Sequence, residues 1–270
     1  MTAALPAPAW LVGCGNMAGA MVEGWRSAGV DFSSVTVVRP SGAPVEGIRT
    51  VTDYPNEQPR FIMLGFKPQK LDEVAPGLGP HVGPNTVLVS MLAGVTAAAM
   101  RQRFAAARAI IRIMPNLPVA QRAGVIPLYS EDDDVEARES VEKLMAILGL
   151  VPWCSDERQV GAIGAISASG PAYFARFAEA IGRAGSRHGL DADTAASIAA
   201  QTLIGTGAFA AANGESMADL ARRVASPKGT TEQGLAVLDG AEGLQPLVDR
   251  MLDAALRRVD ELAAEAAARN

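Results

Sequence analysis

The sequence predicts an α/β fold, a doubly wound parallel sheet, followed by an all-α second half. Three observations support this prediction. Short continuous apolar runs alternate with helical stretches over residues 1–150, as in sheets that are buried on both faces. After about residue 155, only helical segments and turn sequences follow. Alanine, the strongest helix former, rises from 21 copies in residues 1–150 to 29 in residues 151–270.

The predicted strands of the first half are continuous apolar runs, without the alternation of a half-exposed strand. They cover residues 9–14, 35–38, 61–66, 86–90 and 109–114. Helices are predicted between them at residues 18–28, 69–78 and 97–107. This alternation is typical of βαβ units in a parallel sheet. Two further strands, at 124–128 and 151–154, are expected on either side of a helix at 135–148.

The second half is predicted to be entirely helical, with turn sequences between its helices. The helices are expected at residues 171–188, 192–212, 217–224, 231–238 and 244–268. The change of pattern places a domain boundary near residue 155, which divides the chain into domains 1–155 and 156–270. Apolar positions spread widely around several of the later helices, so we expect the second domain to be completed by dimerisation.

Composition excludes several classes of function. A formal charge of −5 speaks against a general nucleic-acid binder. Two cysteines and two separate histidines, His81 and His188, form no recognisable zinc site, so no metal is expected. Both histidines are interpreted as surface residues. We find no signal peptide and no stretch close to the ~20 apolar residues of a membrane span, so a soluble cytoplasmic protein without a membrane partner is expected.

A dinucleotide-binding fingerprint of the form G-x-G-x-x-A lies between the first strand and the first helix. Gly13 is predicted to form the tight turn, and Gly15 to let the backbone approach a pyrophosphate. Ala18 is small enough for helix and strand to pack, while Asn16 and Met17 open the helix whose N-terminus faces the negative charge. The sequence therefore predicts a Rossmann-type dinucleotide-binding domain.

The end of the second strand indicates which dinucleotide is preferred. NAD-preferring sites usually carry an acidic residue there, whereas this chain has Arg39 and Ser41. A guanidinium and a hydroxyl are suited to a 2′-phosphate. We therefore expect NADPH to be preferred, with NADH use still open.

Few ionisable residues are placed for proton transfer in this chain. Lys67, at the end of the third predicted strand, is the one that is well placed to face the crevice, and it either takes part in the reaction or contacts backbone or phosphate. The scarcity favours a reaction that needs little proton chemistry from the protein. Imine reduction fits, because a protonated C=N bond already accepts hydride.

Six segments together resemble the Δ1-pyrroline-5-carboxylate reductase family. They occur in the family's order from about residue 10 to 240 and read GCGNM (13–17), GFKPQ (65–69), VSMLAGVT (89–96), MPNLP (114–118), SGPAY (169–173) and SPKGTT (226–231). The resemblance implies a Rossmann-type domain followed by an all-α dimerisation domain, with decamers in many members. It also implies reduction of pyrroline-5-carboxylate to L-proline with NAD(P)H.

Substrate contacts are implied for residues 226–231. In the family pattern this segment opens a helix and holds the substrate carboxylate through backbone N–H groups and the hydroxyl of Ser226. Gly229 and Thr230 belong to the same loop, and Thr231 is implied as the catalytic residue at the ring nitrogen. A capping box formed by Thr230 and Gln233 is the alternative role for this threonine pair. Glu215 falls near a position that reaches the imine through water, although a helix-start acid is its alternative role.

Cofactor contacts are implied at the ends of the remaining strands. Lys67, Pro68, Ala93 and Gly94 match positions that line the nicotinamide. Asn116 lies in the turn beside them, where a purely structural role is the alternative.

One departure from the family pattern concerns the substrate loop. Lys228 replaces a glycine and would be strained if the backbone there has a positive φ. Lys228 is also the best support for the alternative that the substrate is a different cyclic imino acid. A catalytically idle nucleotide-binding relative is the remaining alternative, but the chain retains Gly13, Gly15 and Thr231.

Overall fold

The computed structural model of the chain describes residues 4–267, which pack as two units. The first unit comprises residues 4–168 and 258–267, and the second comprises residues 169–257. The sequence pattern separates domains 1–155 and 156–270, and this domain division stays a prediction.

Within the described residues, the first unit contains a seven-stranded sheet of order β3-β2-β1-β4-β5-β6-β8. All neighbours are parallel except β6 and β8, which are antiparallel. A separate parallel pair is formed by β7 and β9. The strands are β1 (Ala9–Val12), β2 (Val35–Val38), β3 (Arg49–Val51), β4 (Phe61–Leu64), β5 (Val87–Ser90), β6 (Ala109–Ile113), β7 (Gly124–Val125), β8 (Leu128–Tyr129) and β9 (Gly149–Leu150).

Helices cover both faces of this sheet, as the doubly wound prediction requires. They are α1 (Asn16–Ser27), α2 (Leu71–Leu78), α3 (Ala97–Arg103), α4 (Val135–Ala146) and α5 (Glu157–Ser167), with short 3-10 turns at Pro68–Lys70, Gly79–His81 and Leu117–Gln121. Alternate residues of β1 enter different cores: Leu11 packs with Trp25 of α1, and Trp10 packs with Met100 of α3. The fold class predicted from the sequence is thereby confirmed.

The sequence prediction was wrong at three places in the sheet. It missed β3, a short strand at the sheet edge. The strand expected at 124–128 is divided into β7 and β8, because Pro127 lacks the N–H that a continuous ladder would need. The strand expected at 151–154 is not formed; β9 lies just before it, and Trp153 makes only an isolated bridge to Leu128.

The second unit is helical throughout. Its helices are α6 (Gly170–Arg187), α7 (Ala192–Asn213), α8 (Met217–Val224) and α9 (Thr230–Leu238), and α10 (Leu244–Ala267) continues from it into the residues of the first unit. The predicted helix at 244–268 extends by one residue beyond the described part of the chain. Helices α6 and α7 approach so closely that a Cβ on Gly182 would lie 3.2 Å from the Cα of Ala196.

Much of the apolar surface of α6 and α7 is exposed in the single chain. Phe174 and Ile204 are 62% and 63% exposed, and Ile181 and Ile198 are exposed to a similar degree. Surfaces of this kind on a helical unit mark sites of association. The second unit therefore presents the uncovered apolar faces that the sequence pattern predicts for a dimerisation domain.

Helix α7 also meets the length and hydropathy of a membrane span. An 18-residue stretch within its 22 residues has a mean hydropathy of 1.3, and 17% of that stretch is buried. The expectation that no stretch approaches a membrane span was therefore wrong for this helix. One such helix is weak evidence for a membrane location.

Candidate active site

The carboxyl ends of the parallel strands lie in one row, since β1, β2, β4 and β5 are paired in register. Val12 is opposite Val38 and Leu64, and Leu64 is opposite Ser90. The loops that follow these strands therefore begin at the same edge of the sheet. These loops and the first turns of the helices after them contain every cofactor residue predicted from the sequence: Gly13, Gly15, Asn16, Met17, Ala18, Arg39, Ser41, Lys67, Pro68, Ala93, Gly94 and, after β6, Asn116.

The turn between β1 and α1 requires glycine at Gly13 for reasons internal to the protein. Its φ is +77°, and its N–H donates to the Val38 carbonyl at 2.8 Å. A Cβ at this position would lie 2.9 Å from the carbonyl oxygen of Gly65, which follows β4. A Cβ on Gly65 would in turn lie 2.9 Å from the Cβ of Ala18. Gly13, Gly65 and Ala18 thus allow the first turn and the end of β4 to meet.

Gly15 has no such internal requirement. A Cβ there would find only the Gly65 oxygen, at an ordinary 3.8 Å, and its φ is −79°. Gly15 is the N-cap of α1 and is exposed; among the described residues, no side chain caps the helix. The first N–H groups of α1, from Asn16 and Met17 onward, are therefore available to an anion. A glycine that the fold does not need, beside open N–H groups, fits the close approach of a pyrophosphate.

Arg39 and Ser41 are brought together at the end of β2. The Arg39 Nε–H donates to the Ser41 hydroxyl at 3.0 Å, and the turn closes with the Gly42 N–H donating to the Arg39 carbonyl at 3.0 Å. Burial raises the pKa of the Cys14 thiol, while the positive charges of Arg39 and Arg26 oppose that rise. Both guanidinium groups therefore act on the dinucleotide turn, where a phosphate would be favoured.

The remaining cofactor candidates differ in exposure. Lys67 is exposed, and its carbonyl accepts from the Lys70 N–H at 2.9 Å in the 3-10 turn that contains Pro68. Ala93 is exposed beside Gly94, whose φ of +76° turns the chain toward α3. Lys67 and Ala93 therefore leave the carboxyl edge of the sheet accessible at the ends of β4 and β5.

Asn116 is buried and its amide is engaged by the backbone. Its Nδ2 donates to the Ser167 carbonyl at 2.8 Å, and its Oδ1 accepts from the Val125 N–H at 2.8 Å. These bonds join the turn after β6 to β7 and to the end of α5. A direct contact of Asn116 with cofactor stays a prediction, and its structural contribution is to fix this turn.

The loop at residues 226–231 belongs to the second unit and opens α9. Gly229 is the N-cap, and its N–H donates to the Ser226 carbonyl at 2.9 Å. A Cβ on Gly229 would lie 2.4 Å from the Ser226 hydroxyl, so only glycine fits. Ser226 and Thr230 are exposed, and Thr231 is half-buried.

Two expectations about this loop have clear outcomes. The prediction of a capping box formed by Thr230 and Gln233 was wrong. Gly229 is the N-cap of α9, and no side chain of the described residues caps this helix. Lys228 has a φ of +58°, the positive value under which strain was expected. Its N–H donates to the Oε2 of Glu232 at 2.7 Å, which ties the loop to the first turn of α9.

Thr231 lines a cavity of about 560 Å³ within the second unit. The wall is mostly apolar, with Phe209 of α7 and Leu220 and Leu235 of the following helices. Among the described residues, Arg223 of α8 is the one ionisable residue in this wall, and sequence reasoning missed it. Its Nη2 lies 2.8 Å from the Oε2 of Glu215. The structure therefore brings together Thr231 and Arg223 in one wall, with Glu215 behind the arginine.

Neither histidine belongs to the loops described above. His188 is exposed at the end of α6, as expected. His81 is half-buried and packs against both Trp10 and Tyr54, with ring centroids 5.1 and 5.4 Å away, so it is less exposed than its interpretation as a surface residue implies. Over residues 4–267, no group of three or more His, Cys, Asp or Glu side chains could hold a metal ion.

The fold, the β1–α1 turn and the loop at residues 226–231 define a class of protein: an oxidoreductase with a Rossmann-type dinucleotide-binding unit and a separate helical unit. Comparison with known proteins narrows the class. Residues 157–262 match the family model described as pyrroline-5-carboxylate reductase dimerisation. A pyrroline-5-carboxylate reductase of Pseudomonas aeruginosa is 33% identical over 261 residues, covering 93% of this chain and 95% of the relative. The chain belongs to the pyrroline-5-carboxylate reductase family, and the resemblance found in the sequence is confirmed.

Other relatives agree along almost the whole length. Pyrroline-5-carboxylate reductase 3 of Danio rerio is 31% identical, with 93% of this chain and 90% of the relative covered. The structure of a pyrroline-5-carboxylate reductase from Coxiella burnetii has a TM-score of 0.87 at 31% identity, over 95% of this chain and 98% of that one. A Plasmodium falciparum pyrroline carboxylate reductase with NADP bound shares the fold, with a TM-score of 0.78 at 19% identity over 96% and 99% of the two chains.

Proposed function

We propose that this chain reduces 1-pyrroline-5-carboxylate to L-proline with NAD(P)H, the last step of proline biosynthesis. The observation that carries the proposal is the loop at residues 226–231, which opens α9 next to the cavity that contains Thr231. Membership of the family, at 33% identity over nearly the full chain, supports the same reaction.

The substrate carboxylate is assigned to the start of α9. Among the described residues, no side chain caps the N-terminus of α9. The N–H groups of Thr230 and Thr231 are therefore available to an anion at the positive end of the helix dipole. The Ser226 hydroxyl lies against Gly229 and adds a donor. The Thr231 hydroxyl is assigned to the ring nitrogen, where it holds or passes on the proton that the amine product carries.

The dinucleotide is assigned to the open edge of the sheet. Gly15 and the first N–H groups of α1 would hold the pyrophosphate, and Lys67, Pro68, Ala93 and Gly94 would line the nicotinamide. When bound, the reduced nicotinamide supplies the hydride. Arg39 and Ser41, already hydrogen-bonded to each other, suit a 2′-phosphate, so NADPH is the proposed preference and NADH the weaker substitute.

Orientation accounts for most of the catalysis in this proposal. A protonated imine needs a hydride at carbon and no further activation. The scarcity of acid–base groups in the β1–α1 turn and in the loop at residues 226–231 is consistent with this requirement. The protein binds both reactants, keeps them in place and leaves one hydroxyl at the nitrogen.

A homodimer is proposed as the working unit, because the second unit exposes large apolar faces on α6 and α7. A decamer built from dimers is the larger assembly that the family resemblance implies. The proposed location is the cytoplasm, without nucleic-acid or membrane partners.

The test is NADPH oxidation by the purified protein with 1-pyrroline-5-carboxylate, repeated with NADH and with a six-membered cyclic imino acid. We expect turnover with the five-membered substrate and a higher kcat/KM with NADPH. Thr231→Ala should lower kcat by about 10²-fold or more, the lower end of the range for one proton-transfer group, while NADPH binding stays unchanged. Faster turnover of the six-membered ring would favour the alternative substrate, and full activity of Thr231→Ala would remove Thr231 from its role.

A further inference from the structure

A recess at the amino edge of the sheet plays no part in the proposed reaction. It is lined by residues 7–8, 33–36, 49 and 57 and has a volume of about 330 Å³. These residues include the segments that lead into β1 and β2, whereas the residues assigned to the dinucleotide follow the carboxyl ends of the strands. The volume is at the lower end of the roughly 300–1,000 Å³ of small-molecule sites, so the recess suits a small ligand.

The register of three strands builds one wall of the recess. Trp10 of β1 is opposite Thr36 of β2, and Thr36 is opposite Arg49 of β3. Directly opposite residues of neighbouring strands project from the same face of a sheet. The Trp10 indole N–H donates to Oε1 of Glu57 at 3.0 Å, and Thr36, Arg49 and Glu57 all line the recess. A row across the sheet therefore begins at a carboxylate and ends at a guanidinium.

The two charged groups of the recess have opposite signs and are not neutralised within the protein. Arg49 is exposed and Glu57 is half-buried. Among the described residues, neither forms an ion pair, and the Arg49 guanidinium makes no hydrogen bond. Oε1 of Glu57 is taken by Trp10, which leaves Oε2 for another donor. A ligand that satisfies both groups must present an anion to Arg49 and a cation to Glu57.

Hydroxyl groups lie in the same wall. Thr36 is only 5% exposed, and its hydroxyl has no hydrogen-bond partner among the described residues. A buried polar group without a partner is costly, and in natural proteins a water, an ion or a ligand commonly completes the bond. Ser34 adds a second hydroxyl that no described residue engages. Both hydroxyls can donate to a carboxylate that Arg49 holds.

We propose that this recess binds a small free amino acid as its zwitterion. The Arg49 guanidinium and the hydroxyls of Thr36 and Ser34 hold the carboxylate, and the ammonium group donates to Oε2 of Glu57. Guanidinium and carboxylate suit each other because two N–H groups can donate in parallel. The inference does not depend on the proposed reaction, since it concerns binding at another edge of the sheet.

The arrangement selects a zwitterion over a ligand that carries a single charge. A simple carboxylate satisfies Arg49, but it leaves Glu57 unpaired and is repelled by it. An amine has the reverse disadvantage at Arg49. Only a ligand with both charges gains a charge-assisted hydrogen bond at each end, and such bonds are stronger than those between neutral groups.

Arg60 provides a matched control at the same edge of the sheet. It is exposed, immediately precedes β4 and does not line the recess. Arg60→Met removes one positive charge from the amino edge, as Arg49→Met does, without removing a group from the recess. The Arg60 backbone N–H, which donates to the Pro8 carbonyl at 2.8 Å, is kept.

The experiment is calorimetric titration of the full-length protein. The common free amino acids are first compared at one millimolar-range concentration, and the one that raises Tm most is titrated against the wild type and four variants. We expect Arg49→Met and Glu57→Gln each to raise Kd by about tenfold or more, the effect of losing one hydrogen bond to a charged group. Thr36→Val should raise Kd by about threefold or more, and Arg60→Met should leave it within about twofold of the wild type. Glu57→Gln keeps an acceptor for Trp10, so its fold is preserved.

Two further titrations test the chemistry and the place of the site. Acetate and methylammonium should each bind at least about tenfold more weakly than the amino acid, because each lacks one charge. Saturating NADPH should leave the Kd of the amino acid unchanged, because the dinucleotide is assigned to the opposite ends of the strands.

Several results would overturn the proposal. If no amino acid raises Tm or releases heat, the recess holds water only. Equal losses in Arg49→Met and Arg60→Met would reduce the effect to the overall charge of this edge. Acetate that binds as tightly as the amino acid would make the recess a simple anion site, and competition with NADPH would place the amino acid at the carboxyl edge instead.

Discussion

Lys228 is in a backbone conformation that suits glycine. At a φ of +58°, the Cβ of an L-residue is crowded by the following carbonyl, at a cost of roughly 1–2 kcal/mol. The bond from its N–H to Glu232 involves only backbone on the lysine side. A glycine would therefore keep that bond and remove the strain.

We expect Lys228→Gly to raise the free energy of unfolding by about 0.5–1 kcal/mol, the relief of strain less the chain entropy that glycine adds to the unfolded state. Urea unfolding at a fixed protein concentration measures it. The same replacement at Arg222, inside α8, should lower that free energy by about 1 kcal/mol. Equal effects at the two positions would contradict a backbone origin.

Residues whose roles depend on local backbone geometry were predictable, and residues whose roles depend on packing were not. The need for glycine at Gly13 and the sensitivity of position 228 follow from turn geometry. The engagement of Asn116 by Ser167 and Val125 depends on elements distant in the chain. One signal in the sequence could have identified Arg223. It comes three residues after Leu220 and therefore lies on the same side of α8 as that apolar residue, whereas Arg222 comes three residues after the charged Asp219.

At the scale of elements, the β1–α1 turn combines a glycine required by the fold with one that the fold leaves free. A Cβ on Gly13 would lie 2.9 Å from the Gly65 carbonyl oxygen, whereas a Cβ on Gly15 would lie an ordinary 3.8 Å from it. The two positions can therefore separate folding from cofactor binding, although the fingerprint lists them together.

We expect Gly13→Ala to lower the free energy of unfolding by at least about 1–2 kcal/mol, because of its positive φ. Gly15→Ala should change stability by less than about 0.5 kcal/mol, yet weaken NADPH binding by at least about tenfold, since its methyl group takes the space of the pyrophosphate. Chemical unfolding and fluorescence titration with NADPH measure the two effects. A Gly15→Ala protein that binds NADPH normally would remove the pyrophosphate from this turn.

Elements with strong internal patterns were predicted, and those defined by their neighbours were missed. The five central strands are continuous apolar runs, so β1, β2, β4, β5 and β6 were found with small boundary errors. Strand β3 has three residues, with Arg49 exposed, and exists because it pairs with β2. The antiparallel direction of β8 is likewise set by its partner β6, and no local pattern carries it.

At the scale of the molecule, the second unit depends on association. Phe174 and Ile181 of α6 and Ile198 and Ile204 of α7 are each between 50% and 63% exposed in the single chain. Covering this area requires another chain, and the match of residues 157–262 to a dimerisation model agrees with that requirement.

We expect Ile204→Glu to dissociate the oligomer and to abolish reduction of the imino acid, because a charge in an apolar interface is costly to bury. Sedimentation velocity measures the assembly. Val135→Glu is the matched control: Val135 is 66% exposed and lies in the first unit, at the first position of α4, where an acid suits the helix dipole. Dissociation by both variants would contradict an interface on α7.

The first unit is built from two segments of chain, which has a consequence for its order of synthesis. Gly161 of α5 lies against Val259 of α10, where a Cβ on the glycine would be 3.2 Å from a valine methyl. The whole second unit is translated between these two residues. A nascent chain can therefore form the sheet early on the ribosome but completes the packing of α5 only when α10 emerges. Contacts so far apart in sequence form slowly, so we infer that α5 is the last part of the nucleotide-binding unit to become stable.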